Sequence, residues 1–288
     1  MNAFIKTTHT SKLGITKKNN LQIKIFNLLS YGHFLLPAVD RRFQIFCVGL
    51  PRSGTHSLAH LFEPFYAAKH EPLKQLTVAN IIDWTNGKHS DFKMRSILAN
   101  RDKYLKLELE SSHFLHHVIE LLVDIFPKAK FILTIREPVS WLVSEVNQNY
   151  TSRNSDFWGT LQNFRYGCYG NEYINKSLID IPNVYPISNY FSYWKDHINK
   201  IIDNVPAERL LVIDTFEITN SLNEIASFTG SNQDNFTQEK SWSGKRKSEL
   251  DLYDLLEKSQ VLSQAEEHCG DFIQEKVPFL SKHCSFLQ

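Results

Sequence analysis

Four stretches of the chain each join a strand-like run to a following helical pattern, 44–66, 104–126, 130–150 and 209–228; the run at 104 alternates apolar and polar residues and the other three are mostly apolar. Strand–helix alternation of this kind predicts an α/β domain of three layers, with a central parallel sheet flanked by helices. The 288 residues, 42% of them hydrophobic, can bury one large core. The expected plan is an N-terminal arm over 1–20, read as disordered, with a transit peptide as the alternative that its basic, Thr- and Ser-rich, acid-free composition offers, then a single domain over 21–288. Its core spans 43–247 and its C-terminal helices lie within 249–276. A helix packed on the domain is expected over 21–36.

The first strand is Gln44 to Gly49. A tight turn follows, and then a helix from Thr55 to about Tyr66 with Leu58, Leu61, Phe62 and Phe65 on one apolar face. Backbone N–H groups at such a helix start favour an anion, most often a phosphate. The spacing Gly49-x4-Gly54 is that of the first half of a P-loop, which makes the fold P-loop-like. The second half differs. Thr55 stands where a nucleotide-binding lysine would be, and His56 where a magnesium-binding hydroxyl would be. The cation is instead Arg52. This loop suits a nucleotide 5′-phosphate without a triphosphate–magnesium group, which points away from ATP and GTP.

The run Pro51-Arg52-Ser53-Gly54-Thr55 after a buried strand resembles the 5′-phosphosulfate loop of the sulfotransferases that use PAPS, 3′-phosphoadenosine-5′-phosphosulfate. In that family a Thr or Ser is usual where this chain has His56. A second motif agrees. Lys130 to Ile135 reads as another buried strand, Arg136 ends it, and Glu137-Pro138 opens a helix carrying Ser144. The family's 3′-phosphate site is similar: arginine at a strand end, proline two residues later, serine at plus eight. Arginine offers a charge-assisted, two-pronged contact to phosphate. Arg209 to Asp214 is a further strand, and its Phe216-Glu217 sequel resembles the late part of the same fold. A basic loop holding Lys245 and Arg246 resembles the family's clamp on the 3′-phosphate. The resemblance covers roughly 43–247. It implies PAPS as the donor, bound by Arg52, Ser53, Gly54, Thr55, His56, Ser57, Arg136, Ser144, Lys245 and Arg246.

Sulfuryl transfer needs a held donor, a cation near the leaving phosphate oxygen and a base for the acceptor's proton; positioning and electrostatics supply most of the rate. Arg52 is the expected cation. Family members place a His or Glu base at the end of the strand before the 3′-phosphate strand. Here the alternating run Tyr104 to Glu110 reads as that strand, with one polar face. The candidates are Glu110, His113 and Glu108, and Glu110-Ser111-Ser112 resembles the Glu-Lys-Ser of the glutamate-using members. Lys106 or His56 could add charge nearby. Each residue also has an ordinary alternative role, for Glu110 a salt bridge at a strand end and for Arg136 an ion pair with Glu137 or Glu145.

A net charge of +1 gives no field for nucleic acid or an anionic membrane. No run of about 18 apolar residues occurs. The four cysteines, Cys47, Cys168, Cys269 and Cys284, are widely spaced, which suits a reducing, cytoplasmic compartment; a Cys269–Cys284 pairing stays open. No metal site is expected. His116 and His117 are adjacent, and on a helix their rings would point apart. Residues 67–103, read as short helices with a mostly solvated surface, border the acceptor site in the resembled family. The aromatic-rich segment 151–194 could line an acceptor pocket. The acceptor expected is a small metabolite or natural product bearing a hydroxyl or amine. Sulfation of a carbohydrate, a small-molecule kinase with an altered loop, and an inactive nucleotide-binding module are the competing readings.

Overall fold

Hydrophobic side chains alternate along the strands beginning at Ile45, Lys130 and Leu210, so these strands feed two cores, one on either side of the sheet. The computed structural model describes residues 40–152, 154–170, 184–236 and 251–288. The arm over 1–20, the helix expected over 21–36 and the basic loop with Lys245 and Arg246 lie outside those residues.

The sheet has five parallel strands, β1 (Ile45–Cys47), β2 (Ala68–His70), β3 (Leu109–Ser111), β4 (Lys130–Ile135) and β5 (Leu210–Asp214), in the order β2-β3-β1-β4-β5. Ile45, Cys47, Ile132 and Ile213 pack under α1 (Thr55–Phe62) and α8 (Leu222–Thr229). Phe46, Val48, Phe131, Leu133 and Ile135 face the opposite core. That layer holds α2 (Lys74–Thr85), α3 (Asp91–Leu105), α4 (Ile119–Ile125), α5 (Pro138–Thr151), α6 (Asp156–Tyr166), α7 (Ile187–Asn204) and α9 (Lys258–Lys276). The result is the three-layer α/β arrangement expected, with loops after β1 and β4 side by side because those strands are neighbours.

Several elements differ from expectation. The run Tyr104 to Glu110 is not one strand. Lys106 takes a left-handed conformation at φ 52°, ending α3, and β3 starts only at Leu109 with all three of its residues buried. The apparent alternation is a helix end followed by a turn. Segment 67–103 contributes an edge strand, β2, and buries Met94, Ile97, Leu98 and Arg101, so it is not mostly solvated. Helix α1 stops at Phe62, two residues before Pro64, and leaves Phe65 38% exposed instead of on its apolar face. The described part of 249–276 forms a single 3₁₀ turn and one long helix, α9, instead of two helices. His116 and His117 lie in a 3₁₀ segment, and their ring centroids are 3.8 Å apart instead of pointing apart. All four cysteines are free thiols. Asn149, Asn175 and Asn235 each begin an Asn-x-Ser/Thr triplet; Asn149 is buried against Tyr190 and Asn235 donates to Tyr66, while Asn175 is outside the described residues.

Candidate active site

The turn between β1 and α1 is built by close packing. A Cβ on Gly49 would sit 2.0 Å from Thr134 Oγ1 and under 3 Å from the Thr134 backbone, so only glycine lets the loop lie on β4. Arg52, at φ 63°, and Gly54, at φ 89°, both take left-handed conformations that turn the chain into α1. For Arg52 this is backbone strain of the kind that gathers at functional sites. The Ser53 hydroxyl donates to Leu50 O at 2.6 Å and lies 2.9 Å from Thr134 Oγ1. It thus serves the inside of the loop and does not face its mouth. Thr215 Oγ1 contacts Ser53 O and Ile135 O at 2.8 and 2.9 Å, tying the first loop to the end of β4. Trp141 Nε1 donates to Pro51 O at 2.8 Å. The N-cap residue of α1 is Gly54, which has no side chain to cap it, and a helix end of this type favours anions.

The second motif lies against the first. Arg52 Nε donates to Ser144 Oγ at 3.1 Å, so the serine expected to help Arg136 bridges the loops instead. Arg136 Nε donates to Ser140 Oγ at 2.9 Å. Glu137, one of the two ion-pair partners in the alternative role for Arg136, turns its carboxylate to the N–H groups of Val139 and Ser140 and caps α5. Glu145 accepts from Arg165 and Tyr166. Among the described residues no carboxylate forms an ion pair with Arg136. Burial lowers its pKa and the Arg52 charge adds to that, while Glu137 opposes. The Arg52 charge is thus felt at Arg136, and an anion bound beside Arg136 would offset it.

The candidate bases sit at the end of the sheet nearest β2. Glu110 takes both prongs of Arg101, at 2.5 and 2.6 Å, and a third hydrogen bond from Ser112. It is 4% exposed. Glu108, expected on the same polar face, pairs with Arg42 at 2.7 Å at the opposite end of β3. Its carboxyl is held down chiefly by that arginine. His113 is buried between Glu71, at 2.7 Å from Nδ1, and Arg165 at Nε2. Burial, then the Arg165 charge, push its pKa down to about 3. Burial works against charge on Glu71, yet His113 and Lys74 outweigh it and keep that carboxyl well below its ordinary range. The structure therefore brings Arg52, Ser144, Gly54, Thr55 and Arg136 together, and it closes Glu110 and His113 in ion-pair and hydrogen-bond networks.

His70, Glu71, Arg101 and Arg165 also belong to this region, although no motif in the sequence points to them. His70 and Glu71 sit beside Pro72 in a stretch without β-branched residues, and the only available signal was a His-Glu pair just before a proline. A cavity of about 640 Å³ lies between α2, α6 and α7, with Phe164, Tyr169, Tyr193, His117 and Arg165 in its walls. Arg165 thus joins this aromatic cavity to His113. Among the described residues no three His, Cys, Asp or Glu side chains are placed to hold a metal ion.

The model of the sulfotransferase domain matches residues 44–231, well over half of the chain. The chain belongs to this sulfotransferase family. The solved sulfotransferase STF9 from Mycobacterium avium superposes with a TM-score of 0.52 at 13% identity, over 92% of this chain and 83% of that one. The sulfotransferase from Alicyclobacillus acidocaldarius gives a TM-score of 0.41 at 17% identity, over 79% of this chain and 96% of that one. No curated protein matches the sequence. The protein is thus a transferase of sulfuryl groups by family, with the fold to match. No described helix of this sulfotransferase is long and apolar enough to cross a membrane.

Proposed function

We propose that the protein moves the sulfuryl group of PAPS to a hydroxyl or amine of a small-molecule acceptor. The observation that carries this reading is Arg136. It is half-buried at a strand end, without an ion pair among the described residues, and its charge is opposed by that of Arg52. A nucleotide with a phosphate at each end of its ribose satisfies both motifs at once. The start of α1 and Arg52 take the 5′ end, and Arg136 takes the 3′ phosphate. PAPS supplies an activated sulfuryl group on a good leaving phosphate. The chain's own residues hold that phosphate, neutralise charge on it through Arg52, and remove the acceptor's proton. The aromatic cavity along α6 and α7 offers an apolar body with few polar anchors, as small-molecule sites do.

Calorimetry with PAP, the desulfated product, tests the donor. Micromolar binding that weakens roughly 10- to 150-fold in Arg136→Ala is expected, with ATP and magnesium binding far more weakly. Preference for ATP–magnesium would favour a kinase, against which Thr55 and His56 already speak. PAP binding without transfer to phenols, amines, sugars or water would favour an inactive nucleotide-binding module.

A further inference from the structure

Neither carboxylate nor histidine at the end of β3 is open to an acceptor. Glu110 spends both oxygens on Arg101 and Ser112. Both ring nitrogens of His113 are engaged, and the ring is 2% exposed. A base that takes a proton from an incoming hydroxyl needs a lone pair facing the site. On the neighbouring strand His70 reaches the phosphate loop and keeps part of its side chain exposed. His70 ends β2, in register with Ser111, and its side chain is 25% exposed. Its Nε2 lies 3.4 Å from Thr55 Oγ1, the first helical residue after the Gly54 turn. Its ring stands edge-on to His56 at 5.1 Å. The carboxylate of Glu71 is 3.8 Å from the same nitrogen, placed to stabilise an imidazolium.

The backbone holds His70 there. Glu71 has φ 48°, although Pro72 follows and disfavours helical backbone before it. Its N–H donates to Ser111 O at 2.8 Å, which carries the pairing with β3 one residue past His70 and fixes it beside α1. Strain of this kind persists where the surroundings over-determine it.

We infer that His70 is the base of the transfer, taking the acceptor's proton at Nε2; this rests on the PAPS reading above. As the acceptor oxygen bonds to sulfur, the bond from sulfur to the phosphate oxygen breaks and its electron pair leaves with PAP. The acceptor's proton passes to the imidazole, and the imidazolium releases it to water. The groups facing His70 are Thr55 and His56 of α1, Glu63 just beyond that helix, and Glu71 and Lys74 after β2. Burial lowers the imidazole pKa, with His56 and Lys74 acting in the same direction and Glu71 and Glu63 against it. The ring is thus neutral and ready to accept a proton at neutral pH.

The test uses the full chain and PAP. Histidine side-chain NMR, with His70→Gln to assign the resonance, follows the His70 titration without and with saturating PAP. A phosphate bound at α1 should raise its pKa by about one unit or more. Calorimetry between pH 5.5 and 8 should then show PAP binding that weakens with rising pH more steeply in the wild type than in His70→Gln. PAP release from PAPS, with 4-nitrophenol or water alone as acceptor, should fall about 100-fold or more in His70→Gln, with PAP affinity at pH 8 within about threefold. Circular dichroism checks that the variant folds. An unmoved His70 titration under saturating PAP, or turnover in His70→Gln within threefold of wild type, overturns the inference and leaves the donor reading standing. Failure of PAP to bind the wild type overturns both.

Discussion

Arg52 donates to the hydroxyl of Ser144 across ninety-two residues of sequence, joining the loop after β1 to the helix after β4. This contact makes two separate motifs one site. It also gives Ser144 a different part from the one its spacing implied, because it orients Arg52 while Ser140 orients Arg136.

Arg136→Ala should therefore weaken PAP much more than Ser144→Ala. A charge-assisted hydrogen bond to a phosphate is worth about 1.5–3 kcal/mol, roughly a 10- to 150-fold change in dissociation constant. Ser144→Ala removes only an orienting contact, for which about threefold is expected. Arg136→Lys should recover part of the loss, because the charge stays while the two-pronged geometry goes. Calorimetry with PAP at fixed ionic strength checks the ranking. Equal affinity for the wild type and Arg136→Ala would remove Arg136 from the site.

Glu110 gives a sharp contrast between a catalytic and a structural part. In Glu110→Gln the buried pair with Arg101 is broken and a guanidinium is left with a poor partner, at a cost of about 3 kcal/mol. The melting temperature should fall by several degrees. Turnover per folded molecule should change little when measured well below the melting point, and PAP should still bind. Complete loss of turnover in a variant shown to be folded would instead make Glu110 the base, as its place in the sequence suggests.

The pH dependence of stability has a definite sign. His113 and His197 are held near 3, against an ordinary 6.5, and His116 and His117 are also well below it; burial is the largest cause in each. Below about 6.5 the unfolded chain binds protons at these positions and the folded chain does not. Stability is thus full above 6.5 and falls as pH drops from there towards 3. Glu71, held low, adds nothing in the upper part of that window, because its unfolded counterpart is already ionised there. Urea unfolding at pH 7, 6 and 5 should show a loss corresponding to more than one proton. His197→Gln should make the slope shallower. A stability that stays level between pH 7 and 5 would contradict the neutral, buried state of these rings.

The residues that could be read from sequence share one property: their chemistry is local. The Gly49-x4-Gly54 turn, the strand that ends in Arg136 and the Glu137-Pro138 helix start all depend on neighbours within a few residues. Helix and strand patterns around them placed the sheet and its layers. What stayed hidden depends on distant pairs. Nothing near Glu110 shows that Arg101 will face it from a helix whose end masquerades as part of the strand. The partner of His113 is Glu71, forty-two residues earlier and just past an edge strand of only three residues, Ala68, Lys69 and His70, with no β-branched side chain. The left-handed conformations of Arg52 and Glu71 are equally silent, because neither residue type announces them.

Gly49 is the position where the fold and the site are least separable. Its would-be Cβ meets Thr134 Oγ1 at 2.0 Å, and the Thr134 carbonyl oxygen and nitrogen at 2.8 and 2.9 Å. The hydroxyl could rotate away, but the β4 backbone cannot withdraw without breaking its pairing with β1 and β5. Overpacking of this kind costs about 1–3 kcal/mol or more. Gly49→Ala should therefore lower stability and also displace the loop, reducing PAP affinity beyond what unfolding explains. Thr134→Ala removes the nearest atom but leaves the backbone contacts, so the double variant should recover only a minor part of the loss. Chemical denaturation of the four proteins in the cycle measures the coupling. Full recovery in the double variant would show that the hydroxyl alone, and not the close approach of loop and strand, requires glycine at this position.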